Sequence, residues 1–480
     1  MPYDLRERKG KSMSHDPQFI SAAPSSNDLS QWINPLIRYN SWTGSNQGTG
    51  KHIYYKFTDT TAALETATKE IFDIWANLSN LTFEEDSTQD GIEINYDIIG
   101  GNPLGNAIAH VTEHEFIIES ADITISNTRL TNTSDFNKGQ LGYITIIHEI
   151  GHALGLVHGN EEGASNFASA YVTQYQNIDY SIMNSFVDQY GSITSVYGLP
   201  STPQFADISA IQYLYGANTS YNSEDSSYDF LEPQVMTIWD GGGTDTIDAT
   251  AQVSAVTINL NEADGDAYST VGASAFWIAS GANIENALGG SSHDTITGNA
   301  LANTVKGMSG NDLIRLNDGT DWANGNAGID YIFAGNGDDN IRGGKDQDSL
   351  TGESGADFVN GNNGNDTVLG GTGADTLHGG QDHDTISGEA GNDQLFGDKG
   401  NDTLTGGSGA DTFIFNVSNT PGIDTITDFV SGTDTLELRN SSFTSATDAF
   451  NAITSGVLDL GGGHSISGLS NLNISDIDLV

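Results

Sequence analysis

Between residues 289 and 411 the chain holds a single register, with a carboxylate at every ninth position. The series runs Asp294, Asp312, Asp321, Asp330, Asp339, Asp348, Asp357, Asp366, Asp375, Asp384, Asp393, Asp402 and Asp411, and its one gap, position 303, is Asn. Two residues after each comes an apolar side chain, from Ile296 through Val359 to Phe413, with Ala323 the single small one. Glycines fall five and two residues before most of the aspartates, as in Gly370-Gly371-Thr372-Gly373-Ala374-Asp375. A Gly/Asn/Asp-rich linker has no reason to keep step over fourteen units. The glycines make tight turns that expose backbone carbonyls, and the apolar position predicts short parallel strands packed inward. Two such turns on one side surround a hard cation with oxygen ligands, which suits Ca²⁺, so the aspartates from Asp312 to Asp411 are the expected calcium carboxylates. Asp346 and Asp382 stand where the second turn glycine belongs, which predicts either a distorted turn or an extra ligand. Without the cation the rows of like charge repel, so this half is expected to be largely unfolded.

The charge fits that use. The 480 residues hold 64 acidic against 16 basic side chains, a net of −48. Residues 236–480 alone hold 35 acidic and 6 basic residues, and thirteen of the 35 are the in-register aspartates. So acidic a surface repels nucleic-acid phosphates and anionic membranes. No run of about 18 apolar residues exists, so no helical membrane span is expected. With no cysteine, disulfides, thiol catalysis and Cys-type zinc sites are excluded, and bound metal is one remaining source of stability.

Before the repeat the texture is that of a mixed domain, over about residues 36–235. His52–Phe57 reads as a strand, and Leu64, Ala67, Ile71, Trp75 and Leu78 recur at helical spacing. Ile92–Ile98, Asn106–Val111 and Asp122–Ser126 are short strand-like runs, and a second apolar helix covers Leu141–Leu154. Without strict βαβ alternation this favours α+β. The second helix carries His148-Glu149-Ile150-Gly151-His152, followed by Gly155 and His158. Residues i and i+4 share a helix face, so His148 and His152 can hold one metal ion. Gly155 can take the positive φ that turns the chain back and brings His158 as a third ligand. Three imidazoles leave a tetrahedral position for water, as a single catalytic Zn²⁺ requires. Glu149 would take a proton from that water and pass it to a leaving amine.

The stretch His148–His158 resembles the extended zinc signature of the metzincin proteases. Tyr180-Ser181-Ile182-Met183 is similar to their Met-turn, which implies that Met183 forms the floor under the metal. With Asp207-Ile208-Ser209-Ala210-Ile211 and Thr237-Ile238-Trp239-Asp240, the resemblance narrows to the serralysin subfamily and covers about residues 35–480. The repeat resembles that of RTX proteins. The implied fold is multidomain: an α+β metzincin-like catalytic domain, then an all-β parallel β-roll (RTX) from 236 to 480, with repeats over about 289–415. A β-sandwich cap is implied over Asp411–Phe415, Gly422–Phe429 and Thr433–Leu438. The implied activity is a monomeric, secreted zinc endopeptidase acting on protein and peptide substrates, which add as a strand to an edge at Asn106, Ala107, Ile108 and Ala109. Residues 1–35 are implied to be a propeptide or tail. No apolar stretch follows the basic start, and the end Asp476–Val480 resembles the signal read by type I secretion systems. The sequence departs from the subfamily at Ser185, where a tyrosine usually stands, with Tyr190 nearby. A different class of reading is a calcium-binding RTX surface or adhesion protein with a weak or inactive protease module.

Overall fold

The computed structural model describes residues 48, 50–97, 104–111, 118–127, 130–156, 181–183, 199–231, 234–262, 268–416, 422–461 and 463–480. The N-terminal part is built on a five-stranded sheet of β1 (Lys51–Thr58), β2 (Leu81–Glu85), β3 (Ile92–Asp97), β4 (Gly105–Val111) and β5 (Ile118–Ser126), in the order β2-β1-β3-β5-β4. All neighbours are parallel except β4, which runs antiparallel to β5 at the sheet's edge. Helix α1 (Ala62–Leu78) starts where the Thr61 hydroxyl accepts from the Leu64 N–H at 3.3 Å, a side-chain N-cap. It buries Leu64, Ala67, Ile71, Phe72, Trp75 and Leu78, the stripe its spacing predicts. Helix α2 (Leu141–Ala153) is apolar on nearly every side and is buried between the sheet, α1 and the segment Ser181–Met183. Helix α3 (Phe205–Tyr215) closes this core, and the Tyr215 hydroxyl donates to the Leu154 carbonyl at 2.8 Å.

From Ser227 onward the chain winds into two long sheets, one of 15 and one of 12 strands, the pairing beginning somewhat before residue 236. Consecutive repeats go to opposite sheets, so strand neighbours lie 18 residues apart: Trp322 pairs with Asn340, and Asn340 with Phe358. The apolar residue of each unit points between the sheets and is fully buried from Ile296 to Phe413. This is the parallel β-roll expected from the register. The strands of the expected cap add to the same two sheets. Ile423–Ile426 adds in parallel to Thr403–Thr405, and Thr435–Arg439 to Thr412–Asn416. Short antiparallel strands, Val457–Gly461 with His464–Ser467, close one edge. No helix among the described residues is long and apolar enough to cross a membrane.

Two glycines of each unit have separate reasons. The first lies against the unit's own aspartate: a Cβ on Gly370 would stand 2.5 Å from Asp375 Oδ2. The second has a left-handed φ and lies under the preceding coil: at Gly373 (φ +140) a Cβ would stand 1.6 Å from the Gly355 carbonyl oxygen. The two units with an aspartate in the second place turn differently from the glycine units, such as Gly373 at φ 140° and Gly355 at 146°. Asp346 and Asp382 adopt φ of 74° and 78°, in the region Asp tolerates better than most residues. Gly432 also has positive φ (+82) but meets nothing within 4 Å, which separates backbone strain from collision. Gly373→Ala is therefore expected to lower the thermal midpoint of the calcium-loaded protein well beyond Gly432→Ala, corresponding to an extra destabilisation of more than about 1 kcal/mol. Equal midpoints for the two variants would show that coil stacking does not set the glycine.

Candidate metal centre and the acidic turns

Helix α2 brings His148 and His152 to one face, ring centroids 4.6 Å apart and nearly perpendicular at 88°. Each ring is oriented from behind by a backbone carbonyl. His148 Nδ1 donates to the Ile182 oxygen at 2.6 Å, and His152 Nδ1 to the Leu156 oxygen at 2.9 Å. A proton on Nδ1 puts the ring's lone pair on Nε2, the tautomer a metal ligand needs. The helix ends after Leu154, and Gly155 (φ +101) turns the chain as the sequence predicts. His158, Ser185 and Tyr190 lie outside the described residues.

Glu149 sits between these groups and the sheet edge, 5 % exposed, and its Oε2 has no hydrogen-bond partner. Burial pushes its carboxyl up to about 8. Gly105 of β4 is packed against it, since a Cβ there would stand 2.7 Å from both Cγ and Oε1. The proposed edge strand therefore starts at the carboxylate. Asn106, Ala107, Ile108 and Ala109 pair on one side with Thr124, Ile123, Asp122 and Ala121. Met183 is fully buried under α2, where a Cβ on Gly151 would meet its sulfur at 2.6 Å. Two imidazoles oriented through Nδ1 supply two nitrogen donors of the kind zinc takes, with the orphaned Glu149 carboxylate beside them; among the described residues no group of three His, Cys, Asp or Glu side chains could hold a metal ion.

Asp207 is the residue that sequence reasoning missed. From the first turn of α3 it accepts the Ser181 hydroxyl at 2.6 Å, the Ile182 N–H at 2.8 Å and the Gln204 N–H at 2.8 Å. It thus holds the peptide whose carbonyl orients His148. Burial pushes Asp207 up to about 6, against these hydrogen bonds, which lower it. The legible signal was its position three residues after Gln204, that of a helix-capping acid.

The roll carries the second set. Along each edge an aspartate N–H donates to Oδ1 of the aspartate 18 residues on, for example Asp330 to Asp348 and Asp339 to Asp357, both at 2.8 Å. The other oxygen, Oδ2, is buried and unpartnered in all twelve aspartates from Asp312 to Asp411. Burial raises their carboxyls, Asp348 and Asp384 up to about 8, with the charges of Asp366 and of Asp346 or Asp382 adding to it. The orphan series stops where the protein supplies a donor. Asp294 Oδ2 accepts the Gly290 N–H at 2.6 Å, Asp434 Oδ2 the Val430 N–H at 2.7 Å, and Asp424 Oδ2 faces His464 Nε2 at 3.0 Å. Buried oxygens aimed into carbonyl-rich turns fit a hard cation such as Ca²⁺. Asp245 Oδ2 is one more orphan, and Asp240 and Glu285 bear on it. It falls outside the nine-residue register, which is why the repeat does not reveal it.

The Matrixin family matches residues 46–198, and the family described as Peptidase M10 serralysin C terminal matches residues 207–459, over half of the chain. Metallopeptidase AprA of Pseudomonas marginalis is 34% identical over 251 residues, 48% of this chain and 52% of that protein. Serralysin of Proteus mirabilis is 30% identical over 290 residues, 54% and 58% of the two chains. Serralysin C of Dickeya chrysanthemi is 34% identical over 191 residues, 35% and 39%. The chain thus spans about half the length of the curated relatives it matches. With a matrixin region followed by a parallel β-roll, and with both halves matched in order, this chain belongs to the serralysin-type M10 metallopeptidases.

Proposed function

We propose that the protein is a secreted endopeptidase that hydrolyses peptide bonds in protein substrates, with zinc held by His148, His152 and His158 and calcium held by the aspartate rows. The observation that carries this reading is the Glu149 carboxylate, buried and unpartnered between two oriented imidazoles and the edge strand. Zinc, when bound, would supply Lewis-acid charge to the site. Glu149 accepts the proton of the attacking water at Oε2 and gives it back, here to the leaving amine nitrogen. An extended substrate lies along β4, whose outer side has no strand neighbour among the described residues. Main-chain pairing of that kind holds the scissile bond near Glu149 with little side-chain preference. Asp207 acts as a positioning residue through Ile182 and His148. The acidic turns match an extracellular setting, where calcium is abundant, and the relatives' printed names agree with a protease.

Glu149→Gln is expected to bind zinc with wild-type stoichiometry while casein hydrolysis falls by at least about 10²-fold, the scale of general-base catalysis. Hydrolysis at the wild-type rate would remove Glu149 from the mechanism, and no chelator-sensitive hydrolysis by the wild-type chain would favour the adhesion reading. Asp207→Ala leaves three buried donors unsatisfied, at about 1–3 kcal/mol each. Its zinc should dissociate faster into a chelator than wild-type zinc does; an unchanged release rate would mean that the turn needs no such anchor. Chelating calcium with excess EGTA should abolish most of the roll's β-sheet circular dichroism and restoring calcium should return it, because nothing else satisfies the twelve Oδ2 atoms. A full β spectrum in EGTA would contradict the calcium assignment.

A further inference from the structure

The two faces of the roll differ in charge. On the 12-stranded sheet, the repeat strands between Thr304 and Lys399 carry Lys306, Arg342, Lys345 and Lys399 against one acid, Asp398, which His378 Nδ1 contacts at 2.8 Å. The corresponding strands of the other sheet carry Arg315 against Glu353 and Glu389. In a half that nets −29, from 35 acidic and 6 basic residues, this is a concentration of cations. None of the four forms an ion pair among the described residues.

Flat side chains alternate with these cations. Trp322 lies under Lys306, whose Nζ is 5.8 Å from the ring centroid. Phe358 follows two strands on, about 9.6 Å away by strand spacing. Then His378 stacks on Phe396, centroids 4.2 Å apart and planes 8° off parallel. Further along the strands that begin at Trp322, Asn340 and Phe358, the surface dips into a shallow depression of ≈ 360 Å³, lined by Asn324, Asn326, Arg342, Lys345, Asn362 and Asn363. Amides both donate and accept, as sugar hydroxyls do, and a guanidinium takes a carboxylate bidentately. The track crosses six strands, about 24 Å by strand spacing, with its cations spread along it. Cations, amides and flat rings in line are complementary to an extended chain of acidic sugars. A nucleic acid would bring a denser anionic charge past the aspartate edges, which the track does not offset.

We propose that this face of the roll is a binding track for a uronic-acid polysaccharide, which would hold the enzyme on an acidic glycan matrix independently of catalysis. Titration calorimetry of the full, calcium-loaded chain with a soluble oligogalacturonate too short to gel tests this. Binding is expected, weakened by added NaCl, and reduced by about tenfold or more in Arg342→Gln/Lys345→Gln and separately in Trp322→Ala, with casein hydrolysis unchanged. No binding by the wild-type chain would overturn the proposal. So would equal binding of a neutral oligosaccharide, tighter binding of a sulfated glycan or single-stranded DNA, or undiminished binding by both variants.

Discussion

A carboxylate removed from water must find hydrogen bonds or a cation, and the roll gives each of its aspartates only half of that. Oδ1 accepts one backbone N–H from the neighbouring coil, while Oδ2 is left facing the turn. An unpaired buried charge costs several kcal/mol, so each Oδ2 must be neutralised, by a proton or by a cation. The inward row is thin, since each 18-residue coil contributes two such side chains, one to each sheet. If calcium is the neutralising group, as proposed, it is part of the fold rather than a decoration on it. The row ends confirm the logic locally: where a backbone N–H or an imidazole reaches Oδ2, the orphan disappears.

The N-terminal half solves the opposite problem. Its core closes on apolar contacts among α1, α2, α3 and a mostly parallel sheet. Polar groups there are held by hydrogen bonds one step removed from the reacting atoms. The path from Asp207 through the Ile182 peptide to His148 fixes a ring orientation from the far side of the helix. Glu149 Oε2 is left unsatisfied at the point where β4 comes closest, as are Trp75 Nε1 and the Tyr143 hydroxyl deeper in the core. The two imidazoles are ordered from behind, and the unmet carboxylate oxygen lies beside them at the sheet edge.

The nine-residue period and the aspartate position made the roll, its two faces and its inward row legible, because a solenoid's contacts repeat with its sequence. Helices α1 and α2 were legible from apolar spacing, and His148, Glu149 and His152 from their i, i+4 relation. What escaped depends on contacts between distant segments. Asp207 reads as an ordinary helix-start acid until Ser181 and Ile182 are brought to it. Asp245 has no register to betray it. The short strand Leu81–Glu85 carries alternation too weak to separate from a loop. The strands after Phe413 looked like a different module because their spacing lengthens to 22 and 23 residues, yet the ladder to Asp424 and Asp434 continues.

Parallel sheets usually join strands far apart in sequence, and chain closure makes them slow to assemble. Here every repeat strand meets its neighbour after only 18 residues, on either face. The loop-closure entropy is small and nearly the same for each coil, so contact order stays low however long the roll becomes. Growth then resembles a zipper, with the cost concentrated in the first coil and each later one adding two apolar side chains, one to each sheet. The barrier to forming this half thus lies in closing that first coil more than in a search through topology.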